Sequence, residues 1–261
     1  MGEKGPACLD WYFWLDDTPR PGFMNMAIDS SLLALAESDG VGILRLYRWA
    51  PACVSFGRHE PVARRYDRAR FRTLGVDAVR RPTGGRAVWH DAELTYAVAA
   101  PLGMLGTLQE SCRRIHAMLR DALLLLGVDA ALAPRPPLAA GLPRGRCFDA
   151  ATGGEVLVGE RKVAGSAQLR TGTALLQHGS LLLADDQQRL ADLGATPAPD
   201  RPARTLPLGR PVAFVDAAAA VAEAARHWTG RWHDIIDGEP IVESAAAYAD
   251  GFRSETWTWC R

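Results

Sequence analysis

The sequence predicts an α+β fold in which a single core takes up most of the chain. Three observations lead there. Segments with period-two apolar alternation are interleaved with segments of helical period, and no internal repeat or low-complexity stretch interrupts them. Glycines stand just beyond the apolar runs where helices end. Apolar residues make up 48% and charged residues 23% of the 261, which is an ordinary globular mixture and excludes a disordered or collagen-like chain. At this length roughly 70–75% of the extended surface is buried on folding, enough for one large domain or two small ones.

Asn25 to Ser38 has helical spacing, with Ile28, Leu32, Leu35 and Ala36 on one face and Gly40 past the end. ILRLYRW and ACVSF follow as strands. A charged helix from Ala63 to Leu74 closes at Gly75, and VDAVRR is a strand running into Pro82 and the Gly84-Gly85 pair. Arg86 to Trp89 and Leu94 to Ala99 are predicted to pair as a hairpin around His90 to Glu93. The clearest helix spans Leu108 to Leu126, with a stripe of Cys112, Ile115, Leu119, Ala122 and Leu126 ended by Gly127. After a Pro/Gly loop from Pro134 to Gly145, EVLV, RKVAGSAQ and TALLQHGSLLL are consecutive strands. Residues 1–195 are therefore assigned to the core, and 196–261 to a proline-rich linker followed by C-terminal helices packed on it, near Asp216 to Thr229 and Ile241 to Phe252.

The formal charges balance at zero, which argues against a chain held wholesale on nucleic acid or anionic lipid. They are unevenly spread: Arg58 to Arg86 holds nine Arg against Glu60, Asp67 and Asp77. Either that stretch is a docking face for acidic partners, or it is a solvated helix face, since Arg64, Arg68 and Arg72 recur at helical spacing. No apolar run has membrane-spanning length, and the N-terminus lacks the pattern of a secretory signal. Five cysteines without framework or metal-binding spacing suit a reducing compartment, so a cytoplasmic protein without a metal site is expected.

Candidate chemistry is concentrated in a few places. The glycines of RRPTGGRAVWHD let backbone approach a ligand closely or simply make a tight turn; the spacing fits neither a Walker loop nor a dinucleotide fingerprint. His90 and Asp91 are expected at a turn, where water satisfies the imidazole or a ligand does. Cys53 and Cys112 lie on apolar patterns and are expected in the core. Cys147 stands instead in a Pro/Gly-rich loop beside Arg144 and Arg146, cations that stabilise a thiolate; it is a nucleophile candidate or an inert half-buried thiol. Of the 30 basic residues only Lys4 and Lys162 are lysines. Lys162, next to Arg161 in a strand, is a candidate proton carrier whose pKa burial and a like charge would lower, or else a lysine snorkelling from an edge. His178 either lines a pocket or caps a strand, and His116 is placed on a helix flank. His227 and His233 have no metal spacing.

Taken in order, MNMAID, SFGRHE, RRPTGGRAVWHDAELTYAV, CFDA, GERKVAGSAQ and LQHGS resemble the biotin/lipoate protein ligase superfamily, and within it the cysteine-dependent octanoyltransferases of bacterial lipoate assembly. The resemblance spans Phe23 to Leu183. It implies an α+β catalytic domain with mixed sheets flanked by helices, and an acyl chain clamped between the Gly-Gly and AGSA strands. It also implies that Cys147 is the acyl-accepting nucleophile, that Lys162 positions the acyl carbonyl and handles protons, and that Arg81, Gly84, Gly85, His90, Gly165, Ser166 and Ala167 line the acyl tunnel. Octanoyl-acyl carrier protein would be the donor, a glycine cleavage H protein or lipoyl domain the acceptor, and no cofactor would be needed. Ligases of the superfamily that use ATP tend to carry a third glycine where this chain has Arg86 and Gly-Asn where it has Ala92 and Glu93. ATGGEV after CFDA departs from the transferase pattern, which has Pro-Ser and an aromatic residue there. The competing readings are an ATP-dependent lipoate ligase, an octanoyl amidotransferase acting between lipoyl domains, and a non-catalytic nucleic-acid-binding module.

Overall fold

The computed structural model describes residues 9–134, 154–184, 187–194 and 205–260. It begins with β1 (Asp10–Arg20), α1 (Gly22–Asp39) and β2 (Gly42–Trp49). Gly40 ends α1 in the left-handed region at φ 70°, where a residue with a side chain is strained. Next come β3 (Cys53–Phe56), α2 (Val62–Arg65), α3 (Arg68–Leu74) and β4 (Asp77–Arg80), followed by β5 (Val88–His90), β6 (Glu93–Pro101) and α4 (Leu108–Leu125). A capping box between Thr107 and Glu110 starts α4. The remaining elements are β7 (Ala130–Leu132), β8 (Val156–Val158), β9 (Arg161–Lys162), β10 (Ala164–Thr171), β11 (Ala174–Leu182), a 3-10 turn (Gln187–Leu193), α5 (Phe214–Ala225), β12 (Arg231–Asp234), α6 (Glu239–Arg253) and α7 (Glu255–Thr258).

A six-stranded mixed sheet, β10-β11-β6-β2-β1-β12, forms the centre. Strand alternation sends Leu44, Leu46, Leu94, Tyr96 and Val98 to one face, under α4 and α5, and Ile43, Tyr47, Ala97 and Ala99 to the other, under α1 and α6. Because both faces are covered, β6 reads as one apolar run and is buried along nearly its whole length. Two three-stranded sheets flank this core, β4-β3-β5 and β7-β8-β9. None of the described helices is long and apolar enough to cross a membrane.

Three details differ from the expectations. The helix drawn through Ala63 to Leu74 is broken: Tyr66 is extended and bridges Gly194, and Asp67 caps a new helix through the Ala69 amide at 2.8 Å. The expected hairpin does not form, because β5 and β6 belong to different sheets. β5 pairs with β3, while the Gln187 side chain meets both the amide and the carbonyl of Trp89 on the opposite edge, where a partner strand would lie. The chain then crosses at Asp91 and Ala92 into the central sheet, where β6 pairs with β2 and β11. Finally, the C-terminal segment contains a strand as well as helices. β12 pairs parallel with β1, and the half-buried Trp232 stacks at 5.4 Å on the fully buried Trp11, whose own burial is worth about 1.5–3 kcal/mol.

Candidate active site

A cavity with about 420 Å³ of empty space, part of it open to solvent, lies where the central sheet meets the β4-β3-β5 sheet. Its rim is formed by Gly85, Ser166, Ala167 and Gly179, which are exposed or half-buried, and its inner wall by the buried Met26, Tyr47, Trp49, Ser55, His90 and Thr95. The lining is mostly apolar, and each polar group in it is held by a partner.

Arg81 builds the Gly-Gly rim. It extends from the end of β4 beneath the loop, donating from Nη1 to the Ser55 carbonyl at 2.8 Å and from Nη2 to the carbonyls of Gly84 and Arg86 at 2.8 and 2.7 Å. Gly85 takes φ 92°, and a Cβ placed on Gly57 would overlap its carbonyl oxygen. Gly57→Ala is therefore expected to push the rim outward and cost about 1–3 kcal/mol, read as a lower urea midpoint; an unchanged midpoint would contradict this contact.

His90 is buried rather than set in a solvated turn. Its Nδ1 lies 2.6 Å from Glu93 Oε1, its Nε2 2.7 Å from Ser55 Oγ, and its ring stacks on Trp49 at 4.0 Å. Glu93 Oε1 also accepts from Thr95 and Ser180. His178, on β11, lines the pocket. Its Nδ1 meets Asp29 at 2.8 Å and its Nε2 meets Thr83 Oγ1 at 2.6 Å, so the segment entering the Gly-Gly loop is tied to α1 through a buried imidazole. Tyr47 donates to the same Asp29 carboxylate, and burial together with that carboxylate pushes its phenol well above its ordinary pKa.

Lys162 is also buried, on β9, with its ammonium 2.7 Å from Glu155 Oε1. The sequence placed only the cation Arg161 beside it, whereas the fold brings up a carboxylate. Lys162 does not line the cavity itself but precedes Gly165, Ser166 and Ala167, which do, by a few residues. Of the other positions matched by resemblance, Arg81, Gly85 and His90 are in the wall, and Gly84 contributes through the carbonyl that Arg81 holds. Cys147 falls outside the described residues. Cys53 is in the core, where its apolar pattern put it, whereas Cys112, expected there too, is only half-buried on α4 beside His116; burial raises both thiol pKa values, which keeps them protonated.

Sequence reasoning missed His116. The imidazole expected on a flank of α4 is buried, with Nδ1 2.8 Å from the Gly154 carbonyl and Nε2 2.6 Å from Ser166 Oγ. Helical spacing alone cannot distinguish it from a surface histidine, because its partners, the turn at Gly154 and Ser166 on β10, are 38 and 50 residues away. Met26, Asp29 and Ser55 stood inside the quoted motifs MNMAID and SFGRHE, but nothing local gave them a role.

Residues 21–213 match the family model of the lipoyl protein ligase A/B catalytic domain. The chain belongs to this family. It is 40% identical over 228 residues to the octanoyltransferase LipM of Symbiobacterium thermophilum, covering 80% of this chain and 82% of that protein. To the octanoyltransferase LipM of Bacillus subtilis it is 38% identical over 197 residues, covering 72% and 70%. Among solved structures, a putative lipoate protein ligase from T. acidophilum with bound lipoic acid superposes with a TM-score of 0.72 at 22% identity, covering 96% of this chain and all of that one. Lipoate-protein ligase A bound with ATP superposes with a TM-score of 0.73 at 22% identity, covering 96% and 99%. At that identity the two structures establish the lipoate-ligase-like fold of this family member and nothing about its substrate.

Proposed function

We propose that this protein transfers an octanoyl group to a lysine of a lipoyl-type acceptor protein. The observation that carries this reading is the 40% identity to an octanoyltransferase across four-fifths of the chain. The narrow, largely apolar cavity supports it, since a medium acyl chain can enter past the glycine rim and leave its carbonyl at the mouth, where Ser166 and Ala167 are half-buried.

In this reading octanoyl-acyl carrier protein is the donor and Cys147 the nucleophile. Its thiolate attacks the donor thioester, expels the carrier thiol and holds the octanoyl group as a new thioester of nearly equal free energy. The amine of the acceptor lysine then attacks, forming the more stable amide and releasing Cys147. Lys162, a buried cation beside the cavity, orients the acyl carbonyl, and Arg81, Gly84, Gly85, His90, Gly165, Ser166 and Ala167 hold the chain. Acceptor choice between an H protein and a lipoyl domain would rest on surface contacts. Arg58, Arg64 and Arg72 are exposed and make no ion pair among the described residues, whereas Arg65, Arg68 and Arg70 are taken by Glu60, Glu255 and Asp67. Those unpaired guanidinium groups suit an acidic partner.

Because the donor thioester already carries the energy of the amide bond, ATP has no step to drive. The acceptor lysine is expected to be octanoylated from octanoyl carrier protein without ATP and magnesium, and free octanoate with ATP is expected to give little product. If free acid with ATP is the only productive donor, the chain is a ligase.

A further inference from the structure

At the end of the cavity where β10 enters from Lys162, three side chains from two sheets are hydrogen-bonded in a row. Gly165, Ser180 and Thr95 stand in register there across β10, β11 and β6, and all three line the cavity. Ser180 and Thr95 both donate to Glu93 Oε1, at 2.9 and 2.5 Å, and His90 Nδ1 lies 2.6 Å from the same oxygen. An ionised carboxylate can only accept, so Nδ1 bears the proton and Nε2 of the neutral ring is bare. Ser55 Oγ is 2.7 Å from that Nε2 and accepts from Arg81 Nη1 at 3.1 Å, which leaves the Ser55 proton for the imidazole. Glu93 is buried, and its Oε2 has no hydrogen-bond partner among the described residues. The Trp49 ring, stacked on His90 at 4.0 Å, fixes the imidazole plane.

A serine hydroxyl on an imidazole whose far nitrogen is held by a carboxylate is the constellation that makes serine a nucleophile on unrelated folds. Ser55 and His90 both line the cavity, on the face of the central sheet that α1 covers, together with Arg81. Ala167 and His178, paired two positions further along β10 and β11, line it with Met26 and leave room for a chain leading away from the serine.

We propose that Ser55, His90 and Glu93 form a second acyl-processing centre, which hydrolyses small esters of medium-chain carboxylic acids without the help of Cys147. Ser55 Oγ bonds to the acyl carbon as its proton passes to His90 Nε2. The carbon–oxygen bond to the alcohol then breaks, and the alcohol oxygen leaves with the electron pair and takes the proton from Nε2. Arg81 Nη1, already beside Oγ, places a fixed positive charge next to the oxyanion. Water attacks the Ser55 ester and gives a proton to Nε2, and Ser55 departs with the electron pair and recovers that proton. Ester and water become acid and alcohol. The same base drives both halves, so the acyl-serine does not accumulate. Ser55 and His90 touch the reacting atoms, whereas Glu93 acts through His90 as a positioning residue.

The test uses the full-length protein carrying Cys147→Ala, so that no acyl group can reside on that cysteine. p-Nitrophenyl octanoate is expected to be hydrolysed, and p-nitrophenyl acetate, too short to fill the cavity, at least about tenfold less efficiently. An octyl fluorophosphonate, which captures activated serine hydroxyls, is expected to add one phosphonyl group mapped to Ser55. Adding Ser55→Ala should remove the adduct and lower hydrolysis by at least about a thousand-fold. Adding Glu93→Gln instead, which keeps an acceptor for Nδ1 but no charge, should lower kcat about a hundred-fold with KM little changed. No adduct on Ser55, or hydrolysis by the Ser55→Ala form within about threefold of its parent, overturns the proposal; the adduct is read on the parent protein, so a folding defect in Ser55→Ala cannot mask the answer. Acylation of a lipoyl domain by the protein with Cys147 intact is a separate readout: its failure overturns the octanoyl-transfer reading and leaves the serine centre standing.

Discussion

Arg45→Met is expected to lower the free energy of unfolding by about 3–5 kcal/mol, seen as a large fall in urea midpoint with an unchanged slope. Arg45 lies on β2 with no exposed surface, its Nη2 2.6 Å from Asp16 Oδ2 and its Nη1 3.0 Å from Asp29 Oδ1, and it also bonds the Asn25 side chain. Its guanidinium sits over the Tyr47 ring at 3.9 Å. Methionine fills much of that volume but strands two buried carboxylates. Asp16 keeps Arg20 as a partner, whereas Asp29 keeps the Tyr47 hydroxyl and the His178 imidazole but no guanidinium. Since Asp29 anchors His178, and His178 anchors Thr83 at the Gly-Gly loop, the damage should reach the cavity wall. Arg45→Met with Asp29→Asn should recover part of the stability. A loss below about 1 kcal/mol in the single variant would mean that the network is as weak as a surface ion pair.

The local parts of this fold were legible. Leu108 to Leu126 has helical spacing with a glycine stop, and the structure has α4 at Leu108–Leu125 with Gly127 at φ 72°. Periodicity is a property of neighbouring residues, and it fails where the answer depends on a distant partner. Nothing between Arg86 and Ala99 reveals that Gln187, almost a hundred residues away, takes the edge of β5 where β6 was expected. β12, only Arg231–Asp234, is too short to announce itself; it exists because Trp232 has Trp11 to stack on. The site divides the same way. The ordered motifs nominated Arg81, Gly85, His90, Gly165, Ser166 and Ala167, which the fold gathers around one cavity. The groups that hold them, Asp29, Glu93 and His116, are defined by contacts across the sheet and carry no local signature.

Cys147→Ala is expected to reduce acyl transfer by at least about a thousand-fold without lowering the urea midpoint, because a covalent step has no substitute once its nucleophile is gone. Lys162→Arg provides the contrast. It keeps the charge facing Glu155 but puts a larger planar group, which does not give up its proton, into a buried position, so transfer should fall severely while the acyl chain still binds. Near-normal turnover by Lys162→Arg would reduce Lys162 to a partner for Glu155.

Intact-mass spectrometry of the protein mixed with octanoyl carrier protein alone, without ATP, magnesium or acceptor, tests the central claim most directly. The account predicts a single added octanoyl group that hydroxylamine removes, mapped to Cys147 and absent from Cys147→Ala. An unmodified wild-type protein, or full transfer to the acceptor by Cys147→Ala, would contradict it.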